Sequence, residues 1–171
     1  MDSLFDKSKI ATNKDIVDLF SKHNPKILFE PNTKWEYSNT GYAFLASIIG
    51  KVSGTSYGYS LQKAIFKPLE MNNTFVYTRR FVLKKISNYA FGYIYSDSLK
   101  KYILPEEPGE AKMVIWLDGI VGDGTVNSTV NDLLKWDRAL YTEKLVSSES
   151  KKEIFSAVEL NNKSKRDYGF G

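Results

Sequence analysis

The sequence predicts a mainly α-helical domain that carries a small antiparallel β part. Three observations support this fold class. Apolar residues recur at helical spacing in several segments, two helix-start signatures occur at Thr12-x-x-Asp15 and Thr129-x-x-Asp132, and no segment reads as a long central strand. With 171 residues, of which 42% are hydrophobic and 26% charged, the chain can bury the core of one globular domain. We therefore treat residues 1–171 as a single domain.

The helices follow from apolar periodicity and from end signals. The first begins at its capping box and places Ile16, Val17 and Phe20 on one face. The second ends at Gly54, which is suited to a left-handed cap. Because this second helix is apolar on most faces, we expect it to lie in the core. The predicted helices lie near residues 14–22, 41–53, 57–66, 130–140 and 149–157.

Short strands are predicted between the helices. Residues 89–95 and 101–104 are rich in tyrosine and isoleucine and flank a polar turn, which indicates a hairpin. Residues 74–77 and the apolar run from Met113 to Leu117 read as further short strands. Pro31-Asn32 reads as a turn, since asparagine tolerates the left-handed conformation.

Composition excludes several classes of function. The net charge of +4 comes from 24 basic and 20 acidic residues, and the lysines are scattered, so we expect no nucleic-acid partner. The chain lacks cysteine, which excludes disulfides, thiol catalysis and cysteine-bound metals. Its only histidine, His23, lies at a polar helix end, which argues against a histidine zinc site and a Ser-His-Asp triad. No segment reads as a transmembrane span or a signal peptide.

The tripeptide Tyr37-Ser38-Asn39 carries the clearest chemical signal. In an extended tripeptide, residues 37 and 39 point the same way, so a phenol and a carboxamide can face one pocket. A phenol with a lowered pKa can relay a proton, and an amide can both donate to and accept from a substrate. The alternatives are that Tyr37 is a buried aromatic residue and that Asn39 caps the following helix.

Three ordered segments, beginning at this tripeptide, resemble the penicillin-recognising serine hydrolases. This family comprises class C β-lactamases, DD-peptidases and related esterases and aminopeptidases. Residues 31–54 match its turn, Tyr-x-Asn element and buried helix, and residues 66–74 resemble its Phe-x-Pro-Leu-Gly-Met-x-x-Thr segment. Residues 118–136 resemble its glycine loop and the helix that follows.

The resemblance implies a fold and roles for particular residues. The chain corresponds to the helical region of the serine β-lactamase/transpeptidase-like α/β fold, with most of the central sheet missing. Tyr37 matches the acid/base tyrosine and Asn39 the amide that orients the substrate. Gly122, Asp123 and Gly124 form a loop that borders the pocket, although a tight turn explains these glycines equally well. The resemblance implies no metal or other cofactor.

Two catalytic elements of the family are missing from the sequence. No Ser-x-x-Lys nucleophile precedes Tyr37, and no Lys-Thr-Gly or His-x-Gly strand follows residues 168–171. Ser60-x-x-Lys63 has the spacing of the nucleophile motif but falls after Tyr37. Asn32 and Thr125 stand where the family usually has glycine. We therefore expect an internal fragment, without a nucleophile of its own and inactive by itself.

Two functions remain open at this stage. The first is part of a serine hydrolase that acts through an acyl-enzyme on D-amino-acid peptides, β-lactams or small esters, outside the cytoplasm. The second is a non-catalytic binding module for cell-wall peptides or a protein partner. In an enzyme fragment without the nucleophile helix and edge strand that would cover Tyr37, we expect this residue to lie at an open surface or in a shallow groove. We also expect part of the apolar stripe of the second helix to be exposed, where it favours self-association.

Overall fold

A computed structural model describes residues 4–82, 84–106 and 113–170. The described residues form six α-helices and one π-helical turn. The helices are α1 (Asn13–His23), α2 (Asn39–Ser53), α3 (Tyr57–Leu61), α4 (Met113–Trp116), α5 (Val130–Ala139) and α6 (Ser148–Phe155), and the π-helical turn Gln62–Phe66 continues α3. All five predicted helical segments are confirmed. The described part of the chain holds no helix long and apolar enough to cross a membrane.

In the described part of the chain, the strands are short and form three antiparallel pairs. They are β1 (Phe75–Val76), β2 (Ile94–Ser96), β3 (Lys101–Ile103), β4 (Val126–Asn127), β5 (Val158–Glu159) and β6 (Lys165–Arg166). The hairpin β2–β3 is the predicted one, with Ile94 opposite Ile103. Strand β1 pairs with β4, with Val76 opposite Val126, and β5 pairs with β6. The predicted fold class, mainly helical with a small antiparallel part, is confirmed.

Two local predictions are wrong. The run from Met113 to Leu117, predicted as a strand, contains helix α4. A short apolar run has the same appearance in a buried strand and a buried helix, and tertiary packing decides between them. Here Trp116 is buried with its ring 5.2 Å from that of Phe5. Val17, predicted to share the buried face of α1, is exposed.

Two apolar clusters form the core. The larger joins α1, α2 and the α4 region through Ala11, Ile16, Ala43, Trp116 and Ile120. The smaller joins the π-helical turn to α5 through Phe66, Leu69, Met71 and Ala139. Each large apolar side chain that is fully buried contributes about 1.5–3 kcal/mol. The larger cluster fixes the start of α2, where the tyrosine–asparagine motif lies.

A buried carboxylate holds the start of α5 in place. Asp132 accepts hydrogen bonds from Asn73 N at 2.7 Å, Thr74 Oγ1 at 3.0 Å and Lys135 Nζ at 3.0 Å. Burial raises the pKa of Asp132, but these three hydrogen bonds outweigh burial and hold the pKa below its ordinary value. Its backbone N–H donates to Thr129 Oγ1, as the helix-start signature predicts. The network ties α5 to the turn before β1, and so keeps β4 beside β1.

Candidate functional site

Helix α2 begins within the Tyr37-Ser38-Asn39 motif. Ser38 is the N-cap: its backbone is extended, with φ −143° and ψ 101°, and its Oγ accepts from Gly41 N at 3.0 Å. The alternative in which Asn39 caps the helix is therefore wrong. Asn39 is instead the first helical residue, which leaves its carboxamide available for other contacts.

Tyr37 is open to solvent. Its side chain is 60% exposed, so the alternative of a buried aromatic residue is wrong and the expected open groove is confirmed. Tyr37 lies between two clefts. One, of about 680 Å³, is lined also by Trp35, Tyr42 and Tyr168. The other, of about 530 Å³, is lined by Phe20 and by residues 25–29. The phenol is therefore reachable from two sides.

The larger cleft is aromatic. The rings of Trp35 and Tyr168 lie 5.0 Å apart, in a tilted arrangement that aromatic pairs favour. Burial raises the pKa of Tyr42, and the neighbouring Tyr168 and Tyr37 raise it further. Tyr42 therefore stays a neutral phenol across the physiological pH range, next to the proposed proton-relay residue. The cleft suits an apolar or aromatic group.

Asn39 faces a different cavity. This space, of about 250 Å³, is lined by Asn39 and Asp123 together with apolar side chains that include Ile16, Phe20 and Ile120. The structure thus brings Asn39 together with the loop residue Asp123. It does not put Tyr37 in that cavity. The prediction that residues 37 and 39 point the same way assumed an extended tripeptide; Ser38 is extended, and Asn39 is the first residue of α2.

The glycine loop lies directly against α2. Gly122 has φ +105°, and a Cβ on this residue would lie 2.5 Å from Ala46 Cβ and 2.6 Å from Tyr42 O. No side chain fits there, so glycine is required both for the positive φ and for the close approach of the loop to α2. Gly124, in contrast, has open space around its missing Cβ. The loop therefore contacts α2 at Gly122 and continues past it into the rim of the cavity.

Asn13 joins the same loop to α2, a role that the sequence did not predict. Its Oδ1 accepts from Val121 N, and its Nδ2 donates to Val121 O and to Ala43 O, each at 2.8 Å. In the sequence, Asn13 only follows the N-cap Thr12, where polar residues are common. Because its partners are main-chain groups far along the chain, no local pattern points to this role.

Seven non-glycine residues in the described part of the chain have left-handed backbones, and three of them lie in the segments discussed above. Asn32 has φ 62°, Glu70 φ 56° and Thr125 φ 68°. The left-handed turn predicted at Asn32 is confirmed. Thr125 ends the glycine loop, and its carbonyl accepts from Tyr77 N at 2.9 Å. A β-branched residue is strained in this conformation, so the contacts around the loop hold it there.

Ser60, whose spacing to Lys63 imitates a nucleophile motif, lies in a cluster of hydroxyl groups. Its Oγ is 2.9 Å from both Ser53 Oγ and Thr55 Oγ1. These partners are hydroxyl groups, which do not serve as a general base at neutral pH. The cluster connects the end of α2 to α3 and has no feature of an activated serine.

Known proteins resemble this chain in sequence and in fold. The model of the beta-lactamase family matches residues 3–171. Penicillin-binding protein 4* of Bacillus subtilis is 49% identical over 167 residues, which cover 98% of this chain and 37% of that protein. A solved octameric penicillin-binding protein homologue from Pyrococcus abyssi superposes with a TM-score of 0.68 at 28% identity, over 86% of this chain and 31% of that one.

A third similarity concerns an enzyme with a ligand bound. The D-amino acid amidase of Ochrobactrum anthropi SV3, solved with D-phenylalanine, has a TM-score of 0.64 and 28% identity, over 86% of this chain and 41% of that chain. The chain thus spans 31–41% of the length of these three proteins.

Proposed function

Because the chain belongs to the beta-lactamase family of serine hydrolases, we propose that it supplies the tyrosine–asparagine side of an acyl-transfer active site. In this proposal the nucleophilic serine and the strand that supports the oxyanion come from further parts of a longer protein. The chain as it stands then lacks the nucleophile and does not turn over substrate.

Tyr37 is proposed as the acid/base residue. The observation that carries the proposal is its placement: an exposed phenol, immediately before the capped start of α2, with open clefts on both sides. In an acyl-transfer reaction, the serine hydroxyl loses its proton as it attacks the acyl carbon, and the leaving group gains one. A phenol between two clefts can exchange a proton with a group on either side.

Asn39 is proposed to orient the substrate. Its carboxamide offers two N–H donors and one carbonyl acceptor, which suit the amide of a peptide or of a β-lactam side chain. Gly122, Asp123 and Gly124 are proposed to border the same pocket, supported by the cavity that Asn39 and Asp123 share. Since Tyr37 lies outside this cavity, the two parts of the site meet only through the substrate or the remaining elements of the enzyme.

The proposed substrates are D-amino-acid peptides, β-lactams or small esters, hydrolysed through an acyl-enzyme. Support for the D-amino-acid class comes from the similarity to the D-amino acid amidase. The aromatic cleft beside Tyr37 is compatible with an apolar side chain. An extracytoplasmic location is proposed from the similarity to penicillin-binding proteins.

The test is a single-atom change in the complete gene product. Tyr37→Phe removes one exposed hydroxyl, and we expect kcat/KM with nitrocefin, p-nitrophenyl esters or D-alanyl-D-alanine peptides to fall about 100-fold or more, with unchanged thermal stability. The matched control is Tyr141→Phe, which removes the hydroxyl of another exposed tyrosine, outside the site, and should keep full activity.

Wild-type turnover by the Tyr37→Phe protein would remove Tyr37 from the mechanism. A complete protein that binds a labelled penicillin or D-alanyl peptide without forming an acyl-enzyme would favour the second candidate, a non-catalytic binding module. The observation in favour of that candidate is the aromatic cleft, which can hold a ligand with no chemistry. Mass spectrometry of the labelled protein distinguishes the two, since only the hydrolase gains covalent mass.

A further inference from the structure

We infer that Asn13 is a positioning residue for this site: its side-chain amide sets the distance between the start of α2 and the glycine loop. The inference rests on the proposed function, because it concerns how Asn39 and Asp123 come to share one cavity. Asn13 touches neither residue. It holds the main chain from which each of them projects, through Ala43 on α2 and Val121 before the loop.

Main-chain contacts of residues 11–12 position the segment before the glycine loop, but they do not extend to the loop itself. Ala11 N donates to Trp116 O at 2.7 Å, and Thr12 forms a parallel bridge with Gly119. These contacts align residues 11–12 with the segment that leads into the loop. At Asn13 the chain enters α1, and main-chain pairing with that segment gives way to the side chain. The carboxamide then continues the alignment to Val121 and crosses to α2.

The chemistry of this position requires an amide. The three partner groups are one N–H and two carbonyl oxygens, and a carboxamide matches them with one acceptor and two donors. An aspartate of the same shape keeps the acceptor but turns its second oxygen toward the two carbonyl groups, which repel it. An alanine leaves all three partly buried groups without this partner.

Both ends of this bridge lie close in sequence to the proposed site. Ala43, which is 1% exposed, follows Asn39 by four residues, one helical turn. Val121 precedes Asp123 by two residues, and between them Gly122 packs against Tyr42 and Ala46 without space for a methyl group. A shift at the bridge therefore changes the relative position of Asn39 and Asp123, even though Asn13 itself lies outside their cavity.

The first experiment measures position directly, in the 171-residue chain by NMR. In Asn13→Ala and in the milder Asn13→Ser, we expect changed chemical shifts for the Asn39 side-chain amide and for the backbone of residues 122–124. We also expect hydrogen exchange at the Val121 amide to be about tenfold faster or more. The matched control is Asn131→Ala, an exposed asparagine near the capped start of α5, which should leave all these signals unchanged.

The second experiment measures turnover in the complete gene product. Misplacement of the substrate-orienting amide costs mainly transition-state binding, so we expect kcat to fall about tenfold or more in Asn13→Ser while KM changes less than threefold. The assay is run well below the unfolding temperature of each variant, so that a loss of stability alone does not lower kcat.

The outcomes separate this inference from the proposed function. If the Asn13 variants move the signals of Val121 alone, and kcat keeps its wild-type value, Asn13 stabilises the fold without positioning the site, and the inference is wrong. If the signals of Asn39 and residues 122–124 move but the wild-type complete protein turns over no substrate, the geometric inference stands and the proposed function fails. If both variants unfold while the control folds, the positioning role is rejected in favour of a purely structural one.

Discussion

The two faces of α2 are built in opposite ways. One face carries small residues, Ala43 and Ala46, both buried against Asn13 and the glycine loop. The other face carries large branched residues that are exposed, among them Leu45, Ile48 and Val52, the last at 83% exposure. A helix in a core normally buries its largest apolar residues and exposes small or polar ones. Here the pattern is inverted.

The two faces of α2 therefore contribute in different ways, one through close main-chain packing and the other through exposed apolar surface. On the buried face, small residues let the main chain of the loop approach the main chain of α2. The close contact at Gly122 and the hydrogen bonds of Asn13 hold the two segments together. On the open face, about 0.8 kcal/mol per CH₂ group is available to whatever covers it. The buried face therefore defines the site, whereas the open face provides free energy for association.

The largest effect is expected at the contact between the loop and the buried face. Gly122→Ala adds a methyl group that would lie 2.5 Å from Ala46 Cβ. It also places an L-residue at φ +105°, a dihedral angle that L-residues disfavour. Strain and overpacking together should lower the free energy of unfolding by about 2–4 kcal/mol. Urea denaturation measures this loss. Gly124→Ala is the matched control, with open space around it and an expected change below about 0.5 kcal/mol. Equal effects of the two substitutions would show that the loop does not pack closely on α2.

The next effect concerns the open face of α2. We expect the 171-residue chain to self-associate there, and the pair Ile48→Glu with Val52→Lys should shift it to monomer in sedimentation experiments. These positions are exposed and four residues apart, so the new charges can pair, and stability should change by less than about 1 kcal/mol. Val130→Lys, at an equally exposed valine on α5, is the control and should leave association unchanged. A wild-type chain that is monomeric at high concentration would contradict the prediction.

The smallest effect is expected where the loop ends. Thr125→Gly relieves a left-handed backbone at a β-branched residue, but glycine loses more conformational entropy on folding. The relief of strain slightly exceeds the entropy loss, so we expect the free energy of unfolding to rise by about 0.5 kcal/mol, visible as a small rise in Tm. A clear loss of stability would mean that the threonine side chain, whose Oγ1 contacts Gly124 O, contributes more than the strain costs.

Local features of the fold could be predicted from the sequence. Helix starts, the cap at Gly54, the hairpin and the turn at Asn32 depend on neighbouring residues, and all are confirmed. The strand predicted at Met113–Leu117 is wrong, because only the contact with Phe5 and its neighbours selects the helix. The strands β1 and β4 pair although they lie about fifty residues apart in the chain. Each strand has only two residues, which is too short a pattern to predict its partner.

The residues of the proposed site also divide into those that a local motif identifies and those that depend on distant contacts. Tyr37 was identified from the motif, and its predicted exposure is confirmed. Asn39 and Asp123, both identified from their motifs, line a common cavity that Tyr37 does not line. Which residue caps the helix could not be predicted, because Ser38 and Asn39 are both chemically able to do so, and the structure selects Ser38. Asn13 was missed because hydrogen bonds to distant main-chain groups leave no trace in local sequence.

The bridge made by Asn13 also has a consequence for the order in which the molecule assembles. Its bond to Ala43 closes 30 residues of chain, and its bonds to Val121 close 108. The longer closure costs about 1 kcal/mol more in chain entropy, and during synthesis it must wait until residue 121 has been made. Helix α2 and α1 can therefore meet early, while the amide of Asn13 still bonds to water on one side. We therefore predict that the glycine loop docks after α1 and α2 have met, so that the loop side of the proposed site forms later than the contact between these two helices.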